Sequence, residues 1–188
     1  MAAVAAGFGS VFGTPIAGAI FALEFATNKK AVSLYSILLV FVCAFLAHWV
    51  CLAWGVVHTE YLIKQLPKIS FINLLFIVLV SIIFGLVAFA FKTGLHYFKV
   101  KASTYLPNEL WRSVIGGAFI ALIVYVTNGF DFIGLGIESM VRAFDTPAHQ
   151  YDFAIKMFLT ILTLSVGFKG GEVTPLFFIG ATLGSGLS

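Results

Sequence analysis

The sequence predicts an all-α polytopic membrane protein in which some helices cross the bilayer and others stop part-way. Three observations carry that expectation. Hydrophobic residues make up 61% of the chain and charged ones only 10%, a balance that ordinary water-soluble domains do not keep. Apolar stretches of the ~20 residues needed to cross a bilayer recur along it. Between them lie shorter apolar segments broken by Gly and Pro, the pattern of helices that end inside a membrane against protein or a water-filled cavity.

Residues 3–12 are small and apolar, and Gly13-Thr14-Pro15 punctuates them. A second short helix is expected from Pro15 to about Ala26, ending at the polar Thr27-Asn28-Lys29-Lys30. Proline suits a helix start, because the first backbone N–H groups have no partner within the helix. Residues 31–57 read as a full span, and 58–69 as a loop carrying His58, Glu60, Lys64, Pro67 and Lys68. Residues 70–91 span again and continue into an amphipathic extension with Lys92, His96, Lys99 and Lys101. Pro107-Asn108 marks a turn, 109–128 span, and 133–144 form a short re-entrant or surface helix. Residues 151–167 span once more, the Phe168–Pro175 turn follows, and 176–188 begin a last helix.

The net charge is only +3, and the basic residues form no long run, so nucleic acid is not an expected partner. No CxxC or HExxH occurs, and the scattered His and Cys do not suggest a metal site or any other cofactor. Cys43 and Cys51 fall in one helix, ~12 Å apart along its axis, which is beyond disulfide reach. His48, in a mostly apolar span, reads as a satisfied packing or interface group. By the positive-inside rule, residues 27–30, 92–112 and Lys169 face the cytoplasm, while Asp131, Glu138, Asp145 and Asp152 form a solvated outer face. The Lys92–Lys101 run reads first as a membrane anchor and second as an attractor of anions. The first residues lack the basic flank of a signal peptide, and the last stop inside an apolar segment. We therefore read the chain as part of a longer membrane protein.

Residues 169–188 carry the functional signal. A Gly-Gly turn leads into Glu172-Val173-Thr174-Pro175, which opens an apolar, Gly-spaced helix. The free N–H groups at such a start, with the positive end of the helix dipole, suit an anion. Thr14-Pro15 and Thr174-Pro175 both open apolar helices after Gly-containing turns, a faint echo of the kind inverted repeats leave.

Two motifs then converge on one family. The stretch Ala5-Ala6-Gly7-Phe8-Gly9-Ser10-Val11-Phe12-Gly13-Thr14-Pro15-Ile16-Ala17-Gly18-Ala19-Ile20-Phe21-Ala22-Leu23-Glu24 resembles a segment of the CLC chloride channels and proton-coupled anion transporters, in which two short helices meet near the subunit interface. Gly171-Glu172-Val173-Thr174-Pro175 sits where that family carries a GxFxP motif whose backbone N–H groups bind the central anion. The order of long, short and broken helices fits as well, so the resemblance covers nearly all of the chain. It implies a partial CLC-type transmembrane domain of inverted repeats, with residues 1–58 ending the first repeat and 70–188 starting the second. It also implies a multi-pass membrane location in contact with lipid, a halide anion and protons as the transported species, and a homodimer. The helices at 15–26 and 31–57 would line the dimer contact, where Gly18, Ala19 and Ala22 are small enough for close approach.

This chain departs from the common family pattern in two places. Val173 stands for the usual Phe of the motif, and Thr174 for a small apolar residue. The Gly-Gly-Glu-Val-Thr-Pro version resembles the fluoride-exporting bacterial branch, which implies fluoride export coupled to proton antiport across a bacterial plasma membrane. Fluoride is small and strongly hydrated, so removing its water demands close donors. The Thr174 hydroxyl can donate, and a protonated Glu172 could donate or carry the exchanged proton. Capping the helix is the plainer role for Thr174. At the end of the second short helix the chloride/proton exchangers carry two consecutive Glu; here Glu24 matches the first and Phe25 replaces the second. Glu24 and Glu172 are thus the proton-coupling candidates, with a structural pairing to Lys29 or Lys30 as the alternative for Glu24. A chloride channel of the voltage-gated type, or a chloride/proton exchanger, is the alternative within the family. A membrane-embedded enzyme would need a paired nucleophile and base or metal ligands, and the Ser and His spacing shows neither. The family's external gating Glu, first anion-binding Ser loop and late Tyr lie outside these residues, so the chain is not expected to conduct ions alone.

Overall fold

The computed structural model describes residues 1–25, 33–58 and 70–187. The described residues form helices and connecting turns that divide into two compact units, Met1–Glu60 and Tyr61–Ser188.

The first unit contains α1 (Ala2–Phe12), α2 (Pro15–Glu24) and α3 (Leu34–Ala53). Gly13 ends α1 in the left-handed conformation at φ 68, which lets the chain reverse without a Cβ penalty. Pro15 then starts α2. Small residues hold the three helices together. A Cβ on Gly9 would come within 2.9 Å of the Ala44 carbonyl oxygen, and one on Gly18 within 3.0 Å of the Gly9 nitrogen. The backbones therefore nearly touch, and Ala5, Ala19, Ala22, Val40 and Ala44 close the core. Ser33 caps α3 by accepting from the Ser36 N–H at 3.2 Å.

The second unit contains α4 (Phe71–Tyr105), α5 (Glu109–Thr127), a 3-10 turn (Phe130–Phe132), α6 (Ile137–Asp145), α7 (Asp152–Ser165) and α8 (Val173–Leu187). Asn108 caps α5 through its side-chain oxygen, and Asn128 ends it at φ 52. Phe91, Ile161 and Ile179 join α4, α7 and α8 in one apolar cluster. Gly116 brings α5 against Val166, whose carbonyl accepts from the Ser113 hydroxyl at 3.1 Å.

Helices α3, α4 and α5 are long and apolar enough to cross a membrane, and their outer faces carry exposed Leu, Ile, Val and Phe. Three expectations need revision. The segment read as a span at 151–167 is a helix of 14 residues, Asp152–Ser165, about 21 Å long and short of the hydrocarbon thickness. It is instead a half-buried helix packed against α4, α5 and α8. The last helix begins at Val173 rather than 176, because proline is tolerated within the first turn as well as at its start. His48 packs against His58 with ring centres 5.6 Å apart, but among the described residues its buried Nδ1 has no hydrogen-bond partner, so it is a packing group that is not fully satisfied. Ala26, Lys29, Lys30, Glu60, Lys64 and Lys68 lie outside the described residues.

Candidate anion site at a broken helix

Gly167, at φ 104, turns the chain out of α7, and Phe168 to Glu172 then run exposed to the start of α8. The first helical bond of α8 runs from the Leu176 N–H to the Glu172 carbonyl at 3.1 Å. Glu172 therefore occupies the cap position, with Val173 and Thr174 in the first turn. The N–H groups of Val173 and Thr174 have no helical carbonyl to bond, and Pro175 brings no N–H at all. Among the described residues, no hydrogen bond engages the Thr174 hydroxyl. Thr174 thus does not cap the helix. Nothing lies within 4 Å of a Cβ built on Gly171, so the approach to this end is open.

Glu172 lines an open cavity of about 660 Å³ whose other walls include Lys92, His96 and Lys99 of α4 and Leu176 of α8. The positions of Lys92, His96 and Lys99 recur at helical spacing, so one face of α4 presents its polar groups together. Glu172, Thr174 and the open N–H groups meet at one helix end, as the sequence suggested.

The other expected site residues fall elsewhere. Glu24 and Phe25 close α2 in the first unit, both exposed. Gly18, Ala19 and Ala22 are buried against α1 and α3, so these dimer-contact candidates pack within the unit and leave Ile16 and Ile20 as the exposed apolar side chains of α2. Asp131 pairs with Arg142 at 3.7 Å on an exposed face, and Asp152 accepts from the His149 N–H at 3.2 Å. Sequence reading passed over Lys156, which the structure buries in α7 beside α8. A single charge inside an otherwise apolar run was the signal available for it.

Helices that break at Gly and Pro, with open donors at one break and long apolar neighbours, define a multi-pass membrane protein built around interrupted helices. The family model described as "Voltage gated chloride channel" matches residues 1–188. A "Chloride/fluoride channel protein" of Pseudomonas syringae pv. tomato (strain ATCC BAA-871 / DC3000) is 41% identical over 196 residues, covering 100% of this chain and 43% of that protein. The crystal structure of a CLC-type fluoride/proton antiporter superposes with a TM-score of 0.87 at 34% identity, covering 96% of this chain and 46% of that one. The chain belongs to the voltage-gated chloride channel (CLC) family. It spans less than half the length of these two relatives.

Proposed function

We propose that this chain forms one wall of a transmembrane anion pathway, that the anion is fluoride, and that it is exported in exchange for protons. The observation that carries the reading is the open start of α8, where two N–H groups and a threonine hydroxyl without a hydrogen-bond partner among the described residues share one helix end with an exposed carboxyl group. Fluoride leaving water would exchange its hydration shell for the N–H groups of Val173 and Thr174 and the hydroxyl of Thr174. Charge-assisted bonds of this kind are the strong ones, and the helix dipole adds to them. Glu172, when protonated, donates to the anion or carries the exchanged proton, so that one helix end serves both species. Lys92, His96 and Lys99 border the same cavity as Glu172, and positive charge there would draw anions toward it. The positive-inside rule places this mouth on the cytoplasmic side.

Membership of the family supports transport rather than catalysis. The likeness to a fluoride/proton antiporter and to a chloride/fluoride channel protein supports the choice of anion. We read residues 1–58 and 70–188, which fall in the two separate compact units, as the end of a first repeat and the start of a second. We also place a homodimer contact on the outward faces of α2 and α3, with Ile16 and Ile20 in the role first given to Gly18, Ala19 and Ala22.

The test is efflux from liposomes holding the full-length protein that carries this chain, with fluoride compared against chloride and external pH recorded. Selective fluoride release with opposite proton movement is expected. Chloride release at an equal or greater rate would instead favour a chloride channel or chloride/proton exchanger.

A further inference from the structure

Lys156 has no part in the transport reading above, yet its side chain is 2% exposed. Its Nζ donates to the carbonyl oxygens of Phe132 at 3.0 Å and Gly134 at 2.7 Å. The same Nζ lies 5.1 Å from the centre of the Phe178 ring. Among the described residues no carboxylate pairs with it. A lysine ammonium has three donors; two meet carbonyls here, and the aromatic ring attracts the cation through its π face. Burying such a group without a counter-charge is expensive, and a methionine would fill similar space without that cost. What the lysine adds is a defined geometry.

That geometry ties together three parts of the second unit: the turn after α5, α7 and α8. Phe178 lies four residues beyond Thr174, so the two share a face of α8 one turn apart. The Phe132 and Phe178 rings meet edge to face at 6.1 Å beside the lysine. Gly136 completes the enclosure. Its φ is 67, and a Cβ there would approach Phe178 at 2.8 Å and Lys156 Nζ at 3.3 Å.

We propose that Lys156 is a positioning residue for the anion-binding end of α8. Acting through Phe178, it holds the first two turns of the helix against residues 130–136, so that the donors of Val173 and Thr174 stay fixed where the anion arrives. This rests on the anion-transport reading of that helix end.

The experiment uses the full-length protein in liposomes. Lys156→Met keeps the aliphatic stem and removes the donors, whereas Lys156→Arg keeps charge and donors. Lys156→Met is expected to raise the fluoride KM about ten-fold, the range commanded by groups that orient a binding site from behind, and Lys156→Arg to recover most of the loss. A purely structural role would lower Tm and leave KM unchanged, so a folded Lys156→Met protein with the original KM overturns the proposal. Should that variant not fold, Gly136→Ala presses on both Phe178 and Nζ and must also raise KM; an unchanged KM there is equally fatal. Hydrogen exchange separates this proposal from the transport reading. Faster exchange in the folded variant at the hydrogen-bonded amides of 176–178 supports it even in a protein that moves no fluoride, and unchanged exchange there overturns it whatever the fluxes are.

Discussion

The two Thr-Pro breaks in this chain start from the same dipeptide and reach different surroundings. At Thr14-Pro15 the proline is the first residue of α2, and α1 is joined to α2 through Gly13 in the left-handed conformation. The space beside that glycine is filled: the His58 ring lies 2.8 Å from where a Gly13 Cβ would sit, and His58 Nε2 is 2.7 Å from the Ser10 carbonyl oxygen. Cys51 donates to the same carbonyl at 3.4 Å. At Thr174-Pro175 the proline falls two residues deeper, after Val173 and Thr174 have entered the helix. A Cβ built on Gly171 would meet nothing within 4 Å beyond the adjoining chain, and Glu172 borders a cavity with Lys92, His96 and Lys99. On the proposed reading of α8, a broken helix is only a precondition for an ion site. What separates the two is open space beside the break: at the first the His58 ring takes it, and at the second Glu172 faces a cavity.

The contrast can be broken most severely at Glu172. In the full-length protein, Glu172→Gln is expected to slow proton-coupled fluoride exchange about 100-fold, the low end of what removing a proton-transfer group costs. Fluoride and proton fluxes recorded together in liposomes check this, and near-normal coupled exchange would remove Glu172 from the mechanism. The filled break should respond in stability instead. Gly13→Ala puts a Cβ into the His58 ring at a backbone conformation that alanine disfavours, a cost of about 2 kcal/mol. A lowered Tm in detergent with an unchanged fluoride KM is expected. His58→Ala should have the smallest effect, about 1 kcal/mol for the lost contact with the Ser10 carbonyl, again without a change in KM. A large KM shift from either variant would mean that the first break also contacts the ion.

Much of this contrast was legible in the sequence, and the remainder shows where sequence runs out. Run length and Gly/Pro punctuation located the eight α-helices among the described residues, but not the 3-10 turn at Phe130–Phe132, because apolar stretches and the first-turn tolerance of proline are local properties. The start of α8 was read late, at 176 instead of Val173, since proline fits more than one position in a first turn. Gly18, Ala19 and Ala22 announced a close approach, which the family resemblance gave to a second subunit; within the chain α1 and α3 take it. The grouping of Glu172 with Lys92, His96 and Lys99 joins residues about 80 positions apart, which no local pattern encodes. Lys156 was passed over, since a charge in an apolar run was its one local signal and its partners, Phe132, Gly134 and Phe178, come from other elements.

The most direct test compares the two threonines. Among the described residues, neither the Thr14 nor the Thr174 hydroxyl makes a capping hydrogen bond, and each adjoins a proline at a helix start. With the full-length protein in liposomes, the fluoride KM would be measured for Thr14→Ala and Thr174→Ala side by side. Thr174→Ala should raise it about ten-fold, the loss of one hydrogen bond to a charged partner, while Thr14→Ala leaves it unchanged. Equal shifts in both variants, or a shift confined to Thr14→Ala, would contradict the assignment of the anion site to the open end of α8.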